Sequence, residues 1–124
     1  MAAAPPSCII RDLLEHRALR QPDQTAVIFA GGESWSFAEL RAKVLQRAAG
    51  LQALGVAQDE RVLSWQPNGP SAVLTLLALN QLGAIYVPIN ISYRGGVLQH
   101  VLANSGATRM IAHGALVERL GEVE

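Results

Sequence analysis

The chain is predicted to be an α/β protein, an N-terminal antiparallel hairpin followed by a small parallel sheet with alternating helices. Three observations carry this. From residue 60 onward, short branched-apolar segments alternate with longer helical ones, the pattern of parallel strands joined by crossover helices. Glycines stand where each helical segment must stop, at Gly55, Gly83 and Gly106. Gly31-Gly32 separates two strand-like runs near the N-terminus, as in a hairpin.

The elements follow in order. Residues 1–7 are read as a loose arm, and 8–124 as one structural unit. Ile10, Leu13, Leu14 and Ala18 recur at helical spacing, and Pro22 ends that helix. Thr25 to Ala30 is a strand, Gly31-Gly32 a two-residue turn, and Glu33 to Trp35 the returning strand. Ser36-Phe37-Ala38-Glu39 is a capping box that opens a helix to about Leu54. Phe37, Leu40, Val44, Ala48 and Leu51 form its apolar stripe, with Arg41, Lys43 and Gln46 off it.

Arg61 to Trp65 is the next strand. Pro67-Asn68-Gly69-Pro70 is a turn, with Asn68 or Ser71 expected to cap the helix that runs to Leu82. That helix is apolar on almost every face, so burial on all sides is expected, Leu76 included. Ala84 to Val87 is a short buried strand. Gly96 to Ser105 is a helix with Val97, Leu98, Val101 and Leu102 inward. Arg109 to Ala112 is the last strand, and Ala115 to Leu120 a short final helix.

The totals exclude several functions. Ten basic residues balance ten acidic ones, so no charge excess points to nucleic acid. The longest apolar run, Ala72 to Leu79, is far short of the ~20 residues of a membrane span. The lone Cys8 forms no internal disulfide and fits a reducing, cytoplasmic setting, and the N-terminus lacks the pattern of a signal peptide. Apolar residues make up 50% of the chain and charged residues 16%, a surplus that a small monomer hides with difficulty.

No catalytic, cofactor-binding or metal-binding residue is assigned. Neither Gly-x-Gly-x-x-Gly nor a P-loop motif occurs. Gly95-Gly96 opens a helix whose N–H groups could hold an anion, but a flexible helix start is the better reading. His16, His100 and His113 show no metal-ligand spacing, and His16 and His100 fall on polar helix faces. Cys8 has no base beside it. Asp59-Glu60, and Glu122 with Glu124, read as solvated turn and tail.

The order of these segments resembles the start of the adenylate-forming, AMP-binding enzymes. These are the acyl-CoA synthetases, luciferases and peptide-synthetase adenylation domains. That family has a capped helix opening Ser/Thr, Tyr/Phe, any residue, Glu, Leu, here Ser36 to Leu40. A strand, a Pro-Asn turn and an apolar helix follow, here Arg61 to Trp65, Pro67-Asn68 and Val73 to Gly83. Next come Ala84, Pro88, Ile89 and Asn90 of the following strand and loop, then the helix end Asn104-Ser105-Gly106-Ala107. Ile89 to Gly95 is most similar to the carnitine and crotonobetaine CoA ligase group. No single motif is specific; their order over residues 9–120 is.

The resemblance implies a partial N-terminal domain of an acyl-CoA ligase of the fatty-acid type. In the full-length family, a carboxylate and ATP give an acyl-adenylate and pyrophosphate, and coenzyme A then displaces AMP. ATP, Mg and coenzyme A are implied for that whole enzyme and none for this chain. The family's phosphate loop, ribose-binding aspartate and C-terminal lysine have no counterpart in these 124 residues. The chain is therefore expected to be inactive alone, and to self-associate or pack on the rest of a ligase through apolar surface. Two alternatives stand beside it: a non-catalytic binding or assembly module that keeps the ligase fold, and a flavodoxin-like ligand-binding domain.

Overall fold

The computed structural model describes residues 8–124, so the arm at residues 1–7 lies outside the described part. Helix α1 (Ile10–Arg20) leads into a hairpin of β1 (Thr25–Ile28) and β2 (Ser34–Ser36). Helix α2 (Phe37–Ala53) follows directly. A three-stranded parallel sheet then forms from β3 (Arg61–Trp65), β4 (Ile85–Pro88) and β5 (Arg109–Ala112), in the order β4-β3-β5. Helix α3 (Pro70–Leu82) joins β3 to β4, and α4 (Gly95–Ser105) joins β4 to β5. The predicted α/β architecture is the one observed.

Local chemistry explains most boundaries. Ser36 Oγ accepts the Glu39 N–H at 3.1 Å, and Glu39 Oε2 accepts the Ser36 N–H at 2.8 Å, the two halves of a capping box. Gly83 and Gly106 end α3 and α4 in the left-handed conformation, φ 71° and 70°, which a residue with a Cβ adopts at a cost.

Several expectations change. The hairpin closes through three residues, Ala30-Gly31-Gly32, not two: Phe29 donates to the Glu33 carbonyl and Gly32 to the Phe29 carbonyl. Gly32 takes φ 90°, the positive φ that closes a three-residue turn. Neither Asn68 nor Ser71 caps α3. Gly69 is its N-cap with Pro70 at the first helical position, where the missing N–H costs nothing. Ser71 Oγ instead accepts from Arg47 at 2.9 Å and Gln66 at 3.0 Å. Val97 faces outward, 58% exposed, while Leu98 beside it in the first turn of α4 is fully buried, so the inward face of the helix passes through Leu98 and not Val97. The final helix is a 3₁₀ helix (Gly114–Glu122), started by the Ala115 N–H donating to His113 Nδ1.

Three apolar clusters make the core. Leu14, Trp35, Leu40, Val44 and Leu74 join α1, α2, α3 and the hairpin. Phe29 meets Trp35 edge to face at 4.8 Å. Val62, Leu79, Val56 and Ala84 fill one face of the sheet. Trp65, Leu98 and Leu116 fill the other. Helix α3 is buried through Leu74, Thr75, Ala78 and Leu79 only; Leu76 is half-buried, so the expectation of cover on every side does not hold. Few elements are available to cover it.

Leu79→Asp should abolish cooperative thermal unfolding. Leu79 is 0% exposed, and a carboxylate there costs several kcal/mol, comparable to the whole stability. Arg41→Asp should stay within about 1 kcal/mol, because it loses one exposed pair to Glu15 at 3.4 Å and meets that carboxylate instead. Circular-dichroism melts of the two variants check this; equal melting temperatures would contradict it.

Candidate functional site

Parallel α/β sheets present their ligand crevices beyond the carboxyl ends of their strands. Strands β3 and β4 are parallel neighbours. Helix α3, after β3, packs Leu79 on the Val62 face, and α4, after β4, packs Leu98 on the Trp65 face. Their register pairs Arg61 with Ile85 through Ser64 with Pro88, which aligns both carboxyl ends. A cleft of about 360 Å³ opens there. Gln66, Pro67 and Asn68 line it after β3, and Ile89, Asn90 and Ile91 after β4.

The cleft is rigidly built. Trp65 is fully buried, and its indole Nε1 donates to the Asn90 carbonyl at 3.2 Å, which ties the β4 loop to β3. Asn90 Oδ1 accepts the Ser92 N–H at 2.9 Å and the Ser92 hydroxyl at 2.8 Å, an Asx turn. Ser64 Oγ donates to Gln66 Oε1 at 3.2 Å. Arg119 donates to the Ile91 carbonyl and holds the 3₁₀ helix against the rim.

Its chemistry is neutral. The lining offers amides and prolines and no charged side chain. Such a surface takes uncharged hydrogen-bonding groups. It does not fit a triphosphate, which needs cations or a cradle of N–H groups. Among the described residues no group of three His, Cys, Asp or Glu is placed to hold a metal ion. The residues present therefore do not fit ATP with Mg.

The remaining candidates from the sequence lie apart. The α4 start at Gly95 is occupied by the chain itself: Glu122 Oε2 accepts the Gly95 N–H at 3.1 Å, and Oε1 pairs with Arg94 at 3.0 Å. Cys8 and His100 are exposed, and His16 is half-buried on α1. Glu60 is not a simple solvated turn residue. Its Oε2 accepts the Ala57 N–H at 2.9 Å, and its Oε1 takes Arg109 Nε at 2.6 Å. Arg109 also donates to the Leu54 carbonyl at 2.7 Å, so it clamps the end of α2 to the start of β5. Sequence reasoning missed this clamp, since its partners are about fifty residues apart.

The profile of the AMP-binding enzyme family matches residues 14–124. The chain belongs to this family. The chain is 44% identical over 97 residues to a feruloyl-CoA synthase of an Amycolatopsis species, covering 77% of the chain and 19% of that protein. It is 33% identical over 103 residues to a mitochondrial medium-chain acyl-CoA ligase of Mus musculus, covering 82% of the chain and 17% of that protein. Among solved structures, a long-chain-fatty-acid-CoA ligase from Archaeoglobus fulgidus superposes with TM-score 0.87 at 29% identity. That match covers 99% of the chain and 27% of the ligase. The chain thus spans about one fifth of the length of these two relatives.

The Ala57 N–H and then the Arg109 guanidinium hold the Glu60 carboxyl below its ordinary value of 4.5. A carboxyl lowered by folding stabilises the native state above the unfolded-chain value, and loses that contribution as pH falls through its native value. Glu60→Gln should therefore show a shallower fall in urea midpoint between roughly pH 6 and pH 3 than the unsubstituted chain. Equal slopes would contradict the clamp.

Proposed function

We propose that this chain is the N-terminal scaffold portion of an ATP-dependent acyl-CoA ligase and carries none of the ligase's catalytic groups. The observation that supports this reading most strongly is the family match over residues 14–124 beside relatives about five times longer. In the reaction proposed for the whole ligase, a carboxylate oxygen attacks the α-phosphorus of ATP and pyrophosphate leaves. The coenzyme A thiolate then attacks the acyl carbonyl and AMP leaves. Both steps develop charge that needs fixed cationic or N–H partners. The cleft between β3 and β4 is lined by neutral amides instead, so no step is assigned to residues of this chain.

The role left to the chain is architectural. It supplies three parallel strands and their helices as a base on which the phosphate-binding and acyl-binding parts of a ligase are mounted. No helix among the described residues is long and apolar enough to cross a membrane. A cytoplasmic ligase with ATP, Mg and coenzyme A as its small-molecule partners is the setting proposed for the whole enzyme.

The purified 124-residue chain should give carboxylate-dependent pyrophosphate exchange no higher than a protein-free control. A chimera in which it replaces the matching first fifth of the Amycolatopsis feruloyl-CoA synthase should fold and retain ligase activity within about tenfold. Exchange by the chain alone would overturn the scaffold reading. A folded but inactive chimera would overturn the ligase assignment.

A further inference from the structure

The two walls of the β3–β4 cleft are held differently. The wall after β3 braces itself. Gln66 accepts from Ser64 and donates through Nε2 to Ser71 Oγ at 3.0 Å, and Pro67 and Pro70 fix the short path into α3. The wall after β4 is a loop of residues 89–94, closed by a turn in which the Tyr93 N–H donates to the Asn90 carbonyl at 3.2 Å. Helix α4 starts at its end, and Arg94 there supplies no side-chain cap. Two supports of this loop come from the 3₁₀ helix. Arg119 donates to the carbonyl of Ile91, a residue of the cleft wall. Glu122 takes the Gly95 N–H at 3.1 Å and Arg94 at 3.0 Å, and so caps α4 from a distance.

The form of that helix lets both contacts exist at once. It runs for nine residues, where 3₁₀ runs beyond three or four are uncommon. Three residues per turn stack positions i and i+3, so Leu116, Arg119 and Glu122 form one row. Leu116 is buried against Trp65 and Leu98 and anchors the row. In an α-helix each step of three would swing by ~60°, and Glu122 would point about 120° away from Leu116.

We propose that Arg119 and Glu122 are positioning residues of the cleft, and that the 3₁₀ helix is the brace that fixes its β4 wall. They act through the loop backbone. The Arg94–Glu122 pair is exposed, and such a pair contributes little alone. Here Leu116 already orders the helix, so the two contacts form at little further entropy cost. They grip the loop at Ile91 and at Gly95, and restrain its turn without touching the Tyr93–Asn90 bond. The inference concerns the cleft whatever group it binds, and does not rest on the ligase reading.

Residue-resolved amide exchange of the 124-residue chain by NMR tests this at Ser92 and Tyr93, whose N–H groups bond within the loop and not to the brace. Arg119→Ala should speed exchange at both about three- to tenfold, the restraint of roughly one hydrogen bond. Glu122→Ala should do the same and also free the Gly95 amide. Arg119→Lys, which keeps a donor, should restore most of the protection. Glu118→Ala removes an exposed carboxylate from the same helix and should change nothing. The hairpin amides of Phe29 and Gly32 open without this loop and should keep their rates in every variant. Unchanged exchange at Ser92 and Tyr93 in both alanine variants would overturn the proposal. So would equal acceleration in the hairpin, or no recovery in Arg119→Lys.

Discussion

Strand β3 is the constraint on which the rest of this structure depends. Val62, Leu63, Ser64 and Trp65 are all buried, and the strand carries a parallel neighbour on each side. Burial on both faces requires a helical layer above and below, and α3 and α4 supply them. Its backbone then aligns the carboxyl ends of β4 and β5. Trp65 binds the loops to this frame: its indole holds the Asn90 carbonyl, its own carbonyl holds the His113 N–H, and its ring fills the pocket of Leu98 and Leu116. The cleft, the 3₁₀ helix and the outer strands all take their positions from this one strand.

The N-terminal half is a second layer built on the same base. The hairpin and α1 pack on α2 around Trp35 and Val44, and Leu74 of α3 belongs to that cluster too. Arg47 crosses between the helices, donating to Ser71 and Thr75 of α3. Arg109 and Glu60 lock the far end of α2 to the sheet. Rigidity of this kind suits a scaffold. It sets strand ends and loop anchors for chemistry carried elsewhere, and it spends its charged groups on structure.

The parts legible in the sequence are those governed by neighbours in the chain. The capping box at Ser36 and Glu39, the glycine stops at Gly83 and Gly106, and the three parallel strands each follow from a few adjacent residues. The parts not legible depend on how the chain pairs and packs once folded. The three-residue hairpin loop is set by Phe29 pairing with Glu33, and the exposure of Val97 by the rotation of α4, which turns Leu98 onto the core instead. The cleft escaped notice because its lining is uncharged and comes from two loops about twenty residues apart, joined only by parallel register. The family was legible because the order of its segments is itself the signal.

Residue-resolved amide hydrogen exchange on the native chain tests the central place of β3 most directly. Protection tracks the free energy of the opening that exposes each amide. The amides of Val62 to Trp65 should exchange slowest, only through global unfolding, with those of the β1–β2 hairpin faster. Exchange of the β3 amides as fast as the hairpin's, or faster, would contradict the account.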